Sequence, residues 1–519
     1  MTAAVESVEE LSARFGPTYK WLVTIAGLTG AFAMVLSSTI GNVAVPNVMG
    51  AFGIGQDEAQ WIATAYLAPM TASQLINSWM VAAFGQRLAF TLTLLLFSVG
   101  AVLCAIAPNI DVLILGRVMQ GTSAGIVQPL VMVTIFQVFP VERRGLAMGI
   151  YGTGVTLAPG IGPTIGGLVI DSLSWRHVFL VPLPFVAVGL LLGTIFMPSS
   201  ARKGPLPRFD WTGYLLLCGA LFLLMTATAT GSREGWTSDR IVLMALGGVV
   251  LSTLFVLSQL RGTSPILDFT LFRNSSFAAA TCVAFVFGIG NFASTYVIPV
   301  FVQTVQGFTA TKAGLVLLPA GVALVLALPI TGRLADKMPD YTMVMIGLVF
   351  FALGMALMAG SDVDTGFWTF AFFAIVGRLG MAFILPSLNA SALRVLPPEQ
   401  LNKASGNVNF IRQLGGAAGT NLIVVWLQLR TSFHSDVLTT TQTAANVTSR
   451  EFIGRVGEQL DTAGIPEALH YPLALDYLGK VVYAQAQTMG FKDSFLVLAI
   501  VFLLALLPAW LLRRVHQKR

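Results

Sequence analysis

The sequence predicts an all-α membrane protein with fourteen transmembrane helices. Hydrophobic residues make up 55% of the 519 residues and charged residues only 10%, whereas a soluble domain carries roughly a quarter charged residues. Apolar stretches of about 20 residues, long enough to cross the bilayer hydrocarbon as helix, recur along the chain with short polar connections between them. A soluble fold could not bury so much apolar surface, so the excess is expected to face lipid.

The predicted spans follow a polar N-terminal segment, residues 1–20, that does not have the basic and then apolar pattern of a signal peptide. The expected limits are 21–49, 60–83, 88–107, 112–138, 143–170, 177–197, 211–230, 240–260, 277–302, 312–332, 341–359, 367–395, 403–429 and 494–512. With the N-terminus inside, most Lys and Arg fall in the inner connections. The short outer connections hold only Arg176, Arg233, Arg240 and Lys312. We therefore expect a multi-pass protein of the inner membrane with both termini cytoplasmic.

The spans group into two six-helix halves with a central inserted helix pair. The expected units are a cytoplasmic N-terminus at 1–20, a first half at 21–198, a linker and inserted pair at 199–276, a second half at 277–512 that includes a periplasmic loop at 430–493, and a basic cytoplasmic tail at 513–519. Leu115-Gly116-Arg117-Val118 is echoed by Val376-Gly377-Arg378-Leu379. Paired structural repeats with a site near the midplane are typical of transporters.

Span four carries the strongest functional pattern. Arg117, Gln120 and Gln128 share one helix face. An arginine is costly in lipid, so it should face the bundle interior or a water-filled cavity. It could contact substrate there, or it could act only as an interhelical hydrogen-bond clamp. The other polar residues at membrane depth are Arg378, Arg412, Asn42, Asn291 and Asn389, and each asparagine fits an interhelical bond as well as a ligand contact.

Span five is built for close helix packing. Gly154, Ala158, Gly162 and Gly166 recur every four residues, which lets another helix approach closely. Three further residues complete the segment: Pro159, Pro163 and Gly167. The prolines remove backbone donors and loosen the helix. The glycines alone would fit plain tight packing, whereas the dense Pro-Gly run is much more specific.

Other classes of protein lack support in the sequence. There is no G-x-x-x-x-G-K-[ST] phosphate loop, so we expect no ATP site and no cofactor, with transport driven by a gradient. The four histidines and three cysteines show no metal-ligand spacing. A membrane-embedded enzyme would need an acid, base or nucleophile constellation at depth, and we find none. The net charge of +6 forms no basic run outside the tail, so no nucleic-acid partner is expected.

Three motifs resemble those of the fourteen-span drug:proton antiporters of the major facilitator superfamily, and specifically EmrB-like multidrug efflux pumps. The motifs are Arg117-Val118-Met119-Gln120-Gly121, Gly162-Pro163-Thr164-Ile165-Gly166-Gly167 and Gly332-Arg333-Leu334-Ala335-Asp336-Lys337. The resemblance covers nearly the whole chain. It implies a major facilitator fold, a cavity between spans one, four, nine and twelve, and alternating access. It makes two sets of residues functional motifs. The antiporter motif consists of Pro159, Gly162, Pro163, Gly166 and Gly167, and the conformational loop motif consists of Gly332, Asp336 and Lys337.

The resemblance also implies proton-coupled efflux of drugs or other small amphipathic molecules. Two departures stand against it: the loop motif of the first half is degraded, with Ser78 and Ala82 in place of its glycine and aspartate, and a second departure bears on proton coupling. Ser37 stands where related pumps carry an aspartate that is a favoured proton site. Asp111 and Asp171, at outer helix ends, are then the candidate proton carriers beside the substrate's own ionisable group. An uncoupled facilitator or importer is the alternative that this departure favours.

The outer segment near 430–493 is too long for a simple connection. Thr448 with Glu451 fits a capping box that starts a short amphipathic helix, and a second amphipathic stretch runs from about 473 to 487. These helices could fold onto the transporter's own surface. Otherwise they could dock a partner, which for EmrB-like pumps is a periplasmic adaptor protein joined to an outer-membrane channel.

Overall fold

A computed structural model describes residues 6–59, 61–199, 207–262, 264–443 and 445–512. Several side chains within the helices, among them those of Asn42 and Pro163, lie outside the described residues, as does the predicted basic tail. The described chain is helical and contains no β-strand. Its α-helices are α1 (Val8–Phe15), α2 (Tyr19–Val43), α3 (Val45–Phe52), α4 (Gln56–Ala59), α5 (Trp61–Ser73), α6 (Asn77–Ile106), α7 (Ile110–Val138), α8 (Arg144–Ser172), α9 (Leu183–Phe196), α10 (Trp211–Glu234), α11 (Asp239–Arg261), α12 (Ser275–Thr304), α13 (Ala310–Ala335), α14 (Asp340–Ala359), α15 (Phe367–Arg394), α16 (Leu401–Thr440), α17 (Val447–Thr462), α18 (His470–Leu504) and α19 (Leu506–Leu511).

Twelve helical segments of the described chain are long and apolar enough to cross a membrane. The predicted all-helical membrane protein is thus confirmed, whereas the count of fourteen spans stays a prediction. The predicted spans 60–83 and 88–107 fall into one continuous segment, Trp61–Ile106. Within it Gly85 breaks the helix with a φ of 76° and a ψ of 166°, a conformation that glycine adopts without steric cost. The predicted span 403–429 lies in the first part of α16, and α16 is not among the twelve candidate segments.

The long helices form two packed groups. In the first, α2 packs against α7, α8 and α9, while α7 packs against α5 and α6. In the second, α12 packs against α16, α13 and α14 pack against α15, and α18 packs against α14 and α16. The groups meet mainly through α8 against α13 and α15, and through α7 against α16. The helices α7, α15 and α16, which carry Arg117, Arg378 and Arg412, are therefore surrounded by other helices.

The helices α10 and α11 pack mainly against each other, and α10 also contacts both groups. On the first group, the Phe222 ring stacks on Trp61 of α5 with the ring centroids 5.2 Å apart. On the second, the Asn421 amide of α16 donates a hydrogen bond of 2.6 Å to the Thr228 hydroxyl. The helix α10 therefore spans the seam between the two groups.

The segment 430–493 is helical for most of its length. The helices α16 and α18 hold 40 and 35 residues, so at 1.5 Å per residue they run for about 60 and 52 Å, far more than the roughly 30 Å of bilayer hydrocarbon. The helix α17 packs on α18, and Phe452 stacks on Tyr477 with the ring centroids 5.8 Å apart. The predicted capping box at Thr448 is wrong, because the side chain of Asn446 caps this helix by accepting a bond from the Ser449 amide.

Candidate functional site

Arg117 of α7 is completely buried and joins three helices. Its Nε donates to the Ile62 carbonyl at 3.0 Å, and its Nη1 donates to the Ser37 carbonyl at 3.2 Å and to the Gln120 Oε1 at 3.1 Å. The guanidinium carbon lies 4.3 Å from the centroid of the Tyr66 ring. Arg117 therefore draws α2 and α5 onto α7, as the clamp interpretation of the sequence requires.

The site around Arg117 has more hydrogen-bond donors than acceptors. The Arg117 Nη2 and the Gln120 Nε2 are both buried without a hydrogen-bond partner in the described part of the chain. All the acceptors it contacts are neutral: two backbone carbonyls, the Gln120 amide and the Ser37 hydroxyl at 3.4 Å. Gly41 sits against the guanidinium, and a Cβ there would lie 3.2 Å from the guanidinium carbon. The sequence motif thus places a buried cation that no carboxylate neutralises.

Arg378 of α15 repeats this arrangement in the second group. Its Nη1 donates to the Asn291 Oδ1 at 3.0 Å, and its Nη2 donates to the Thr295 hydroxyl at 2.8 Å. Both acceptors lie on α12, just as Ser37 lies on α2. The sequence echo between Arg117 and Arg378 is therefore also an echo in how each arginine is held. Thr295 was not among the predicted residues, although it stands one helical turn after Asn291.

Arg412 of α16 is half-buried and also contacts only neutral groups. Its Nη1 donates to the Asn389 Oδ1 at 3.5 Å, and its Nη2 donates to the Asn409 Oδ1. Asn389 is fully buried, and its Nδ2 has no partner among the described residues. The second predicted glutamine, Gln128, is buried on α7 and accepts a bond from the Tyr151 hydroxyl at its backbone carbonyl.

The glycines of span five face α2. A Cβ on Gly162 would collide with the Thr39 hydroxyl, and one on Gly166 would lie 2.9 Å from the Ile40 side chain. The predicted close helix approach is therefore present, and it lies within the first group of helices. Gly167 points elsewhere and has open space around it, and Pro159 is exposed.

The loop motif of the second group caps a helix of the first. The Asp336 carboxylate accepts bonds from the Gly145 amide at 2.6 Å and the Leu146 amide at 2.9 Å, in the first turn of α8. Arg394, which the sequence did not single out, pairs with the same carboxylate at 3.0 Å. A Cβ on Gly332 would lie 2.7 Å from the Gly145 carbonyl, whereas Lys337 is exposed. A carboxylate is well placed at a helix N-terminus, where unpaired amides carry partial positive charge.

The two groups touch at one end of the molecule and separate at the other. At the Asp336 end, hereafter the closed end, a Cβ on Gly149 would collide with the Leu328 carbonyl of α13. Gly167 lies five turns further along the same face of α8, and a Cβ added there would have no atom of another helix within 4 Å. On α13, Gly321 and Gly314 likewise have open space. We call this second end the open end.

The two candidate proton carriers lie at the open end. Asp111 is in the first turn of α7 and Asp171 is in the last turn of α8, and both are exposed. Neither forms an ion pair with another described residue. Asp111 stands six residues before Arg117, or about 9 Å along the helix axis. The structure does not bring either carboxylate into contact with the arginines, and their role stays a prediction.

Three kinds of comparison bear on this arrangement. A family model described as Major Facilitator Superfamily matches residues 27–420. The multidrug export protein EmrB of Haemophilus influenzae is 28% identical over 494 residues, which cover 94% of this chain and 95% of that protein. The multidrug resistance protein Stp of Mycobacterium tuberculosis is 27% identical over 505 residues, with coverages of 95% and 93%.

An uncharacterized MFS-type transporter of Bacillus subtilis, YhcA, is 28% identical over 497 residues, covering 95% of this chain and 92% of its own. Among solved structures, the proton:xylose symporter XylE superimposes with a TM-score of 0.62 at 13% identity, covering 96% of each chain. That identity is low enough for this likeness to speak for the fold alone.

Proposed function

The chain belongs to the major facilitator superfamily of membrane transporters, and on that premise we propose that it is a secondary active exporter of small amphipathic molecules. The observation that carries the proposal is the asymmetry of the two helix groups, which meet at the closed end and part at the open end. Full-length relatives named for multidrug export and multidrug resistance support the direction of transport.

The proposed cycle is alternating access by rocking of the two groups. In the present arrangement the site would be reached from the open end. Opening the other end requires Asp336 to release the first turn of α8, since this carboxylate bonds across the two groups. The glycine contact between α8 and α2 would move with the first group, and its tightness makes it sensitive to added bulk.

We propose that the closed end is cytoplasmic. This orientation follows from the excess of Lys and Arg in the connections at that end. Both termini would then lie on the cytoplasmic side of the inner membrane. The fourteen-span count, the halves at 21–198 and 277–512, and the inserted pair within 199–276 belong to the same proposal. The packing of α10 and α11 against each other supports the inserted pair.

Export would draw on the proton gradient. No carboxylate contacts the three arginines in the described part of the chain, so the proton would be carried by Asp111, by Asp171 or by the substrate's own ionisable group. The alternative of an uncoupled facilitator or importer is favoured by one observation, the hydroxyl of Ser37 at the place where related pumps hold a carboxylate.

The helix α17 and the parts of α16 and α18 within 430–493 are the proposed docking site for a periplasmic adaptor that leads to an outer-membrane channel, in a host with two membranes. The half-buried face of α17 is already covered by α18, so docking would use the outward faces. Tyr471 and Leu475, which are 63% and 48% exposed, lie on such a face one turn apart.

The proposed function is tested with purified protein in liposomes loaded with fluorescent amphipathic dyes. Export requires dye movement that depends on the protein and becomes faster when a proton gradient is imposed. Movement at one rate with and without the gradient would establish the facilitator instead. An absence of movement for anionic and cationic dyes alike would overturn the proposed function.

A further inference from the structure

The interior of the bundle holds positive charge without negative charge. Helices α2, α5, α6, α9, α12, α13 and α15 contain no Asp or Glu, and those of α7, α8, α10, α11 and α14 stand in the first or last turn. The carboxylates of α16 and α18 all lie within the segment 430–493. Against this, Arg117, Arg378 and Arg412 lie roughly 10, 16 and 16 Å from the nearest preceding helix start at 1.5 Å per residue. None of the three forms an ion pair with a described residue.

Arg117 is the clearest case of a buried arginine that lacks a paired anion among the described residues. Its guanidinium is completely buried, and a buried cation is costly unless an anion pairs with it. The contact with the Tyr66 ring relieves part of that cost but brings no opposite charge. The Nη2 of Arg117 and the Nε2 of Gln120, both without an acceptor in the described chain, are two donors that one oxyanion could satisfy together.

The presence of a serine at position 37 explains why the positive charge of Arg117 has no carboxylate partner. Its hydroxyl lies 3.4 Å from the Arg117 Nη1, so a carboxylate at this position would pair with the guanidinium. Because a serine occupies it, the guanidinium remains available to a negative group from outside the chain. Arg378 and Arg412 are only half-buried, and their partners Asn291 and Asn389 are also neutral. All three arginines therefore raise the local concentration of anions.

We infer that the substrates are amphipathic organic anions, whose carboxylate or similar oxyanion pairs with Arg117 during transport. This inference rests on the proposed export function and names its substrate class. The Arg117 Nη2 and the Gln120 Nε2 together suit two-pronged binding of such a group, and the apolar helices around them suit the remainder of the molecule. A cationic amphipath would instead meet three like charges with no carboxylate to offset them.

The test compares two dyes with the same xanthene ring system and opposite charge, anionic carboxyfluorescein and cationic rhodamine 123, in protein-containing liposomes. We expect the wild type to move the anion at least about tenfold faster than the cation, since a charge-assisted hydrogen bond of ordinary strength corresponds to a factor of that size. Arg117→Gln should slow the anion by a similar factor. Arg261→Gln removes an exposed arginine at the end of α11 and should leave both rates unchanged.

Ser37→Asp supplies the missing carboxylate and keeps all three arginines, so it decides the matter even where Arg117→Gln does not fold. We expect it to slow the anion and to speed the cation. A wild type that moves the cation faster overturns the inference and leaves the exporter intact. Anion transport that is unchanged in Ser37→Asp also overturns it. If neither dye moves, the proposed function fails together with the inference.

Discussion

Asp336→Asn is expected to weaken the closed end without unfolding the protein. The carboxylate makes three contacts: with the Gly145 amide at 2.6 Å, with the Leu146 amide at 2.9 Å and with the Arg394 guanidinium at 3.0 Å. Asparagine has nearly the same shape but no charge. It can accept through one oxygen only, and its amide group would face a donor where the second oxygen now accepts.

The size of the effect follows from these contacts. A hydrogen bond to a charged group contributes about 1.5–3 kcal/mol, and a carboxylate at a helix N-terminus about 0.3–1 kcal/mol. The Asp336 side chain is 10% exposed, so solvent screens it only in part. One amide contact survives in the variant, which leaves a loss of about 2 kcal/mol in the closed end, or roughly a 30-fold shift in the equilibrium between the closed end shut and the closed end open. A state populated at about 1% would rise to about 20%.

The assay measures distances between spin labels across the closed end. Val141→Cys on the first group and Glu399→Cys on the second, both exposed, would carry the labels after Cys104, Cys218 and Cys282 are replaced. We expect Asp336→Asn to add a longer distance that the wild type shows only weakly.

Asp268→Asn is the matched control for this experiment. Asp268 pairs with Lys403 at 3.0 Å, and its side chain is 14% exposed, but its hydrogen-bond partners Thr270 and Lys403 both lie outside the first group of helices. Burial by itself would raise the pKa of Asp268, but hydrogen bonds from Thr270 and Lys403 outweigh burial and lower it, so the carboxylate is charged at neutral pH. An unchanged distance distribution in Asp336→Asn, or the same change in Asp268→Asn, would refute the proposal that Asp336 holds the closed end shut.

Three further predictions concern other contacts. Gly162→Leu should lower transport and cost about 1–3 kcal/mol of stability, because α2 leaves no room for a side chain; Gly167→Leu meets open space and should unfold at the wild-type temperature. The Arg87 guanidinium lowers the pKa of Glu6 below its ordinary value, so the ion pair that fixes the N-terminal segment is present at neutral pH and is lost as the pH falls through the lowered pKa. Proteolysis within 8–15 should therefore speed up in acid, and at every pH in Glu6→Gln. Replacing 436–488 by a short linker should preserve transport in liposomes and abolish drug resistance in cells; loss of both would favour self-packing, and retained resistance would argue against adaptor docking.

The sequence by itself determined the class of protein, the helices and several of their faces. Apolar length decides which segments cross lipid, and the period of the helix decides that Arg117, Gln120 and Gln128 share a face. The predicted spans 60–83 and 88–107 meet at Gly85, where one residue with non-helical φ and ψ breaks the helix, so the connection between them is very short. The segment 403–429 was less apolar than its neighbours because its polar residues face other helices, so hydropathy alone describes it poorly.

Only the tertiary structure decided which residues meet. Nothing in the local pattern around Asp336 indicates that it caps α8 from the other helix group, or that Arg394 shares its carboxylate. The same holds for Ser37, which lies 80 positions before Arg117 in the chain and yet within reach of its guanidinium. A helix period specifies the direction of a side chain around its own axis, whereas its partner depends on how whole helices pack and cross. The uncompensated charge of Arg117 is therefore a property of the packed bundle, visible only once α2, α5 and α7 stand side by side.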